Sequence, residues 1–198
     1  MPADHETIRI WGIHGGTIGK DFFLFREVLG GGGPGRPWAD GSDVVHVVPN
    51  FRNLPAEFSE TRYPVIIEKL GPAVDSSGAG YRRGGFGYDK QVRVLEECEA
   101  LSNADRSLMH TYGVNGGKYG GTYGVDIAYP DGEERRLAGM EERVPVMLNS
   151  TIKIRTTGGA WGDPLAREAD TTFNAVWYPN RPLVTTMALF LPARDGAT

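Results

Sequence analysis

The amino-acid sequence predicts a mainly β domain, a β-rich α+β fold with long glycine-rich loops. Short segments alternate apolar and polar side chains, the pattern of strands with one buried face. No window shows the ten or more residues of helical periodicity that an α/β fold requires. Glycine contributes 28 of 198 residues in clusters without a regular period, which indicates tight turns rather than a fibrous repeat.

The first third of the chain begins with a strand and continues into loops. Residues 7–13, TIRIWGI, alternate with period two and predict a strand. Residues 21–29, DFFLFREVL, suit a short helix capped by Asp21, and the aromatic side chains leave a strand as the alternative. Residues 30–43 predict a loop because glycine and proline crowd them. VVHVV at 44–48 predicts a buried strand.

The later elements continue the β pattern. Residues 49–64 are bracketed by prolines and leave room for about one helical turn in EFSETRY, and VIIEKL at 65–70 predicts a strand. Residues 75–89 form a second glycine-rich connection that leads into a strand. The Pro-Asp-Gly turn at 130–132 separates two extended arms, and 144–157 ends in alternating TIKIRTT, so both regions predict antiparallel hairpins.

Composition excludes several classes of function. With 21 basic and 25 acidic residues, the formal net charge is -4, so the chain lacks the basic footprint of a nucleic-acid or anionic-lipid binder. The N-terminus has no signal-peptide features and no window approaches a membrane span, which predicts a cytoplasmic protein without membrane contact. The single cysteine, Cys98, rules out an internal disulfide and a thiolate zinc site.

The histidines give no metal signature. His5, His14, His46 and His110 show none of the spacings that place two ligands on one face, so we expect no metal site within this chain. His14 ends a predicted strand before two glycines, where a side chain often faces a cleft, and it is a candidate catalytic residue. His46 lies inside VVHVV and is expected to be packed.

Three arginines are further candidates. Arg82 and Arg83 in GYRRGG, and Arg106 in NADRS, have forked donors that suit a carboxylate or phosphate. The alternative is pairing within the chain, since loop aspartates lie nearby in sequence and such aspartates usually accept hydrogen bonds from turn amides. These aspartates are Asp40, Asp43, Asp75, Asp89 and Asp105.

The glycine motifs predict structure rather than cofactor binding. GGGGPG at 30–35 lacks the GxxxxGK[ST] pattern, so a structural turn is favoured over a phosphate cradle and no cofactor site is assigned. RRGGFG is expected to need positive φ at one or more of Gly84, Gly85 and Gly87. Asp163 before Pro164 predicts the cap of a helix whose first turn is either an anion site or a structural corner.

Four stretches resemble the C-terminal portion of the hydantoinase B/oxoprolinase family, in the family's order. They are DGSDVVHVVPNFRNLPAEFSETRYP, DSSGAGYRRGGFGYD, ADRS with GVNGG, and TTGGAWGDPLARE. GGGGPGRPWADGSDVVH, NLPAEFSETRYPV and FGYDK look most similar to the branch of acetophenone and acetone carboxylases. The resemblance implies a hydantoinase B-like C-terminal domain at residues 1–169 and a divergent, partner-packed tail at 170–198.

The resemblance also implies a function. The chain would be a single domain that completes a larger hydantoinase B-like subunit in a multi-subunit ATP- and bicarbonate-dependent ketone carboxylase. ATP, bicarbonate and a divalent metal would bind to large hydantoinase A-like and hydantoinase B-like partner subunits, and the isolated chain would be inactive. The alternatives are a subunit of an ATP-dependent hydantoinase or 5-oxoprolinase-type amidohydrolase, and a non-catalytic assembly module.

Overall fold

A computed structural model describes residues 9–46 and 52–166 of the chain. Most regular structure in this part consists of β-strands. The elements in chain order are β1 (Arg9–Gly15), β2 (Phe23–Val28), α1 (Ala56–Arg62), β3 (Val65–Pro72), β4 (Tyr88–Val94), β5 (Cys98–Ala104), β6 (Gly124–Ala128), β7 (Glu134–Arg136), β8 (Met140–Val146), β9 (Thr151–Arg155) and a short 3₁₀ helix (Pro164–Ala166).

The first sheet has four antiparallel strands in the order β2-β1-β5-β8. Its inner face carries Trp11 and Ile13 from β1, and their partners on β2 are Glu27 and Phe25. All four side chains are buried. His14 lies on the opposite face, where it stands between Leu24 and Glu99.

The second sheet has five antiparallel strands in the order β3-β4-β9-β6-β7. Val92, Ile152 and Ile127 form one row across its three central strands, and all three are fully buried. The outer face of this sheet carries exposed ion pairs, including Arg93–Glu68 and Lys153–Glu134. Burial on one face and charge on the other explain the alternating sequence of these strands.

The buried faces of the two sheets share one hydrophobic core. Trp11 meets Phe25 edge to face with ring centroids 5.5 Å apart, and Phe25 stacks at 4.8 Å on Tyr63, which follows α1. Such aromatic contacts contribute about 0.5–1.5 kcal/mol beyond the area that they bury. The mainly β fold predicted from the sequence is therefore confirmed.

The segment predicted as a helix at residues 21–29 is a strand, so the alternative was correct. Phe23–Val28 pairs with β1 over its whole length. Within it Phe25 and Glu27 are buried while Leu24 and Arg26 are exposed, which is the alternation of a sheet. Aromatic side chains pack well on a pleated surface, and β1 provides the edge that a strand needs.

The buried strand predicted at residues 44–48 is wrong in the part that the structure describes, residues 44–46. Val45 makes only an isolated bridge to Gly31, and Val44 has a φ of 53°. All of residues 44–46 are half-buried. The physical reason is that the backbone of these residues forms hydrogen bonds with the glycine-rich loops and not with a neighbouring strand. The amide of Val44, for example, donates to the carbonyl of Phe86 at 2.8 Å. Residues 47 and 48 lie outside the described residues.

One predicted hairpin is confirmed and the other is corrected. The Pro-Asp-Gly turn joins β6 to β7, with Gly132 at a φ of 91°. β8 and β9 do not pair with each other, because β8 joins β5 in the first sheet and β9 lies between β4 and β6 in the second. The intervening turn crosses between the sheets, since Asn149 donates its amide to the carbonyl of Val94.

The predicted helical turn in EFSETRY is the helix α1, seven residues long. It lies beside β3, and the carboxylate of Glu60 accepts a hydrogen bond from the amide of Ile67 at 2.9 Å. Throughout the part of the chain that the structure covers, no helix is both long enough and apolar enough to span a bilayer.

Candidate functional site

Four loop segments pack side by side at one end of the sandwich, and we call them the glycine block. They are residues 30–46, 73–87, 111–121 and 156–163. The segment 156–163 is central, because it bridges to Ser77 through Gly158 and to Arg82 and Val114 through Trp161. The loops therefore hold one another by backbone hydrogen bonds instead of by regular strands.

The glycines of RRGGFG are required for close approach and not for unusual backbone angles. None of Gly84, Gly85 and Gly87 has a φ in the left-handed region, so the positive φ expected from the sequence is wrong. A Cβ on Gly85 would overlap the carbonyl of Ser42, and one on Gly87 would overlap the carbonyl of Thr156. Only glycine lets these backbones lie so near each other.

Four of the five backbone amides of GGGGPG are engaged within the block. Gly31, Gly32, Gly33 and Gly35 each donate to a carbonyl of another part of the block at 2.8–3.2 Å. A phosphate cradle needs several free amides that converge on one point. The structural interpretation of this motif therefore explains the geometry better than anion binding does.

Arg83 holds the block together. Its two terminal nitrogens donate to the two oxygens of Asp43 at 2.7 and 3.0 Å, and its guanidinium lies 4.7 Å from the centre of the Phe86 ring. Asp43 also accepts from the amide of Phe86, and Asp40 accepts from the amide of Arg83 at 3.1 Å. The pairing of loop arginine with loop aspartate considered from the sequence is present at Arg83.

Arg82 and Arg106 have different surroundings. Arg82 exchanges two backbone hydrogen bonds of 2.9 Å with Trp161, and its guanidinium lies 5.2 Å from the centre of the Tyr81 ring. Arg106 has a φ of 60° and places its guanidinium 5.5 Å from the centre of the Tyr112 ring. The candidate arginines thus stack on separate aromatic rings.

His14 lies in a shallow groove at the other end of the first sheet. Its Nε2 is 3.5 Å from a carboxylate oxygen of Glu99, and both side chains are partly exposed. The groove, of about 630 Å³, is also lined by Ile18, Phe22 and Leu24. Exposed pairs of this kind contribute little to stability, on the order of 0–1 kcal/mol. A catalytic role for His14 stays a prediction.

The remaining described histidines face carbonyl groups. The Nε2 of His46 is 2.8 Å from the carbonyl of Val28, and the Nδ1 of His110 is 3.0 Å from that of Gly120. Within residues 9–46 and 52–166, no group of three or more His, Cys, Asp and Glu side chains is placed to hold a metal ion. His5 lies outside the described residues.

Asp163 caps the last described element as the sequence predicted. Its carboxylate accepts from the amide of Leu165 at 2.9 Å, and Pro164 is the first residue of the helix. The helix is a single 3₁₀ turn, Pro164–Ala166, rather than an α-helix. A turn this short forms a structural corner.

With the fold and these surroundings established, known proteins provide a comparison. The family model for hydantoinase B/oxoprolinase matches residues 1–164. The chain belongs to the hydantoinase B/oxoprolinase family. Among curated relatives, 5-oxoprolinase 1 of Arabidopsis thaliana is 30% identical over 144 residues, which cover 72% of this chain and 11% of the relative. A Pseudomonas protein assigned as the B component of a D-/L-hydantoinase is 28% identical over 160 residues, 78% of this chain and 27% of its own length.

Solved structures of longer proteins contain the same hydantoinase B-like fold. The ATP-dependent caprolactamase of Pseudomonas jessenii matches with a TM-score of 0.72 and 23% identity, over 88% of this chain and 32% of the caprolactamase chain. A nucleotide-free acetone carboxylase matches with a TM-score of 0.65 and 15% identity, over 88% of this chain and 28% of the other. This chain therefore spans between a tenth and a third of the proteins that it matches.

The hydantoinase B-like core also contains a charged pair that sequence reasoning missed. Lys90 of β4 donates to Glu27 of β2, and both side chains are almost fully buried between the sheets. The Lys90 ammonium lies 5.8 Å from the ring centre of Trp11 and 5.7 Å from that of Phe25. The sequence did carry one signal for this burial, because Lys90 belongs to the same alternating set of positions as the buried Val92 and Val94 of β4. Burial and the negative charge of Glu27 raise the pKa of the nearby Tyr88.

Proposed function

We propose that this chain completes the carboxylating, hydantoinase B-type subunit of a multi-subunit ATP- and bicarbonate-dependent ketone carboxylase. It acts as a structural part and not as a reaction centre. The observation that carries this proposal is the glycine block, whose amides and Arg83 side chain bind other parts of the block. Groups engaged in this way stabilise the loops and are not available to orient a substrate.

The chemistry belongs to other subunits in this proposal. ATP, bicarbonate and a divalent metal bind to large hydantoinase A-like and hydantoinase B-like partners in the cytoplasm. The tail at residues 170–198, including Trp177 and Phe190, packs against such a partner and lies outside the described residues. The length of the relatives supports a division of labour, since this chain covers only 28% of the acetone carboxylase chain that shares its fold.

The preference for a ketone substrate rests on the motifs that resemble the acetophenone and acetone carboxylase branch. A second candidate, an ATP-dependent amidohydrolase, is favoured by a different observation. The Arabidopsis 5-oxoprolinase 1 is 30% identical to this chain, and the caprolactamase has a higher TM-score than the acetone carboxylase. Both candidates use ATP to drive a reaction of a carbonyl compound. They differ in the second reactant, which is bicarbonate for the carboxylase and water for the amidohydrolase.

Reconstitution tests the proposal and separates the candidates. The chain is combined with hydantoinase A-like and B-like polypeptides from the same organism, and ATP hydrolysis is measured with acetone or acetophenone plus bicarbonate. Parallel reactions contain hydantoin or 5-oxoproline without bicarbonate. The carboxylase proposal requires ketone-dependent ATP hydrolysis and fixation of labelled bicarbonate. Activity with only the cyclic amides identifies the amidohydrolase. Full activity without this chain would refute its completing role in either enzyme.

The isolated chain provides a separate test. We expect no turnover of ketone and no measurable ATP binding, because the sequence carries no Walker motif and the described residues present no triad of metal ligands. Isothermal titration of ATP with Mg²⁺ into the purified chain measures this directly. Binding in the micromolar range would contradict the assignment of nucleotide to the partner subunits.

A further inference from the structure

Exposed apolar side chains lie in the glycine block and directly beside it along the chain, and we call this group the tyrosine face. It consists of Leu108, Met109, Tyr112, Tyr119 and Leu165. Their exposed fractions are between 51% and 92%, with Leu108 at the upper limit. The loop 111–121 brings Tyr112 and Tyr119 together, and its tip adjoins Asp163, two positions before Leu165. Exposed apolar side chains grouped in this way are typical of contact sites in soluble proteins.

The two tyrosines face outward because of how their loop is folded. Residues 111–121 form a narrow hairpin, in which Thr111 donates to Gly121 and Gly120 donates back to Thr111 at 2.8 Å. Thr111 and Gly120 are buried against the rest of the block. Alternation along extended chain then directs Tyr112 and Tyr119 to the other side. The backbone therefore fixes these rings on the surface.

Neighbouring side chains hold the tyrosines in place. The Arg106 guanidinium lies 5.5 Å from the centre of the Tyr112 ring, and the ring of His110 packs on Tyr119 with centroids 4.8 Å apart. Tyrosine and arginine are enriched at the energetic centres of protein interfaces, where rigid rings lose little entropy on binding. The tyrosine face thus has the composition and the rigidity of a binding surface.

Both ends of the described domain lie at this side of the molecule. Residues 114 and 162 are joined by a backbone hydrogen bond. A Cβ placed on Gly116, at the hairpin tip, would lie 3.3 Å from the Cα of Asp163. The last described residues, 164–166, follow directly. At the other end Arg9 pairs with Ala104, the residue that leads into the loop of Arg106. Polypeptide that precedes or follows the domain therefore starts next to the tyrosine face.

Other surfaces fit a covering partner less well. The outer side of the second sheet carries ion pairs such as Arg93–Glu68 and Arg136–Asp126, which suit water. The groove beside His14 has exposed apolar side chains, among them Ile18, but it lies at the end of β1 and β5 remote from the Arg9–Ala104 pair. Location and composition together favour the tyrosine face over these two surfaces.

We propose that the tyrosine face is the surface that binds the remaining part of a hydantoinase B-type subunit. An apolar surface of that remaining part covers the tyrosine face. This inference rests on the proposed function, in which the chain completes such a subunit. The caprolactamase chain has about two-thirds of its length outside the region that matches this chain, so in that protein a large body of polypeptide accompanies the domain. Stable interfaces of this kind bury about 800 Å² per partner or more.

The test uses the 198-residue chain with a larger hydantoinase B-like polypeptide from the same organism. Leu108→Asp and Tyr119→Asp place a charge on the tyrosine face, and Ile18→Asp is the matched control at the opposite end, where Ile18 is 85% exposed. We expect the two face variants to raise the dissociation constant about tenfold or more, and the control to leave it unchanged. Thermal melts of each variant alone confirm that the fold is retained.

A photocrosslinking residue at position 112, compared with one at position 18, identifies the occupant directly and works in the otherwise unchanged chain. Crosslinks from position 112 to the larger polypeptide support the inference. Crosslinks from position 112 to a second copy of this chain, or from position 18 alone to the larger polypeptide, overturn it. If the wild-type chain does not associate with the larger polypeptide at all, the proposed function fails first, which distinguishes the two failures.

Discussion

Lys90 occupies an inward position of a sheet although it is charged. Burying one ion costs several kcal/mol, and an opposite charge with good geometry offsets most of that cost. Glu27 supplies the charge from the other sheet, and Trp11 and Phe25 supply the faces of their rings. The pair therefore requires β4 and β2 to meet in one relative position across the core.

Removing one partner should be much worse than removing both. Lys90→Met leaves the Glu27 carboxylate buried without its cation, so we expect a loss of about 3–5 kcal/mol in the free energy of unfolding. Lys90→Met combined with Glu27→Leu removes both charges and should recover most of that loss. Urea unfolding followed by tryptophan fluorescence measures both values. Equal stability of the single and double variants would show that the pair is not coupled.

Cys98 illustrates a residue whose environment decides its chemistry. Burial, followed by the charge of Glu96, raises the pKa of the Cys98 thiol from its ordinary 9.0 to about 12. Such a rise lowers the thiolate fraction at pH 8 about a thousandfold. We expect reaction with an aromatic disulfide reagent to be slower by at least this factor than in urea, and to accelerate as pH rises towards 12. Rapid labelling of the folded protein at pH 8 would contradict this environment.

At the residue level, the sequence predicted the hydrogen-bond partners of the loop aspartates better than it predicted which charged side chains are buried. The loop aspartates Asp40 and Asp43 were expected to bind turn amides and arginine, and both accept from loop amides while Asp43 also binds Arg83. Lys90 was missed because a lysine among valines suggests a solvent-exposed position when only neighbouring residues are considered. Its counter-charge lies 63 positions away in sequence and approaches only through the fold.

Among the elements, β2 shows where local sequence is insufficient. In DFFLFREVL, Phe22, Phe25, Val28 and Leu29 fit a helix, while Phe23, Phe25 and Glu27 fit one face of a strand. The free edge of β1 decides between them by pairing with six residues. The Pro-Asp-Gly hairpin was predictable because its signal is local, whereas the separation of β8 and β9 into different sheets depends on distant partners.

The glycine block makes a prediction at the level of loops. Gly85→Ala would drive a Cβ into the carbonyl of Ser42, and neither backbone has room to move because both lie among other loops. We expect a loss of about 3 kcal/mol or more, or failure to fold. Gly71→Ala in β3 is the matched control, since nothing lies within 4 Å of its Cβ, and its stability should change by less than about 1 kcal/mol. Equal melting temperatures of the two variants would refute the close-packing argument.

For the whole molecule, the sequence was sufficient for the class of fold and for the family, but not for the sheet order. Alternation and clustered glycines are local properties that predict β-structure and loops. The pairing of Val92 with Ile152, in contrast, joins distant strands through a crossover that local patterns do not encode. Prediction of the candidate site from the sequence was limited in the same way, because the fold determines which residues lie next to Arg83 and His14.

The boundary that the family resemblance implies, between a domain at residues 1–169 and a tail at 170–198, leads to a final prediction. Within residues 9–46 and 52–166, the hydrophobic core is built from residues between Trp11 and Ile154. We predict that the tail adds no contact to this core, so a chain that ends at Glu168 or Ala169 should keep a cooperative melt within about 2 °C of the 198-residue chain. The same truncation should weaken binding to the larger hydantoinase B-like polypeptide, because the proposed function places Trp177 and Phe190 of the tail in contact with that partner.

Full-length chains with Trp177→Asp and Phe190→Asp provide the control for this truncation. They should reproduce the weaker binding while their melts stay unchanged, because a charge in a desolvated contact opposes association and not folding. Differential scanning calorimetry and gel filtration with the partner measure the two properties separately. A truncated chain that melts several degrees lower would show that the tail belongs to the domain. One that binds the partner as tightly as the full chain would remove the tail from the interface.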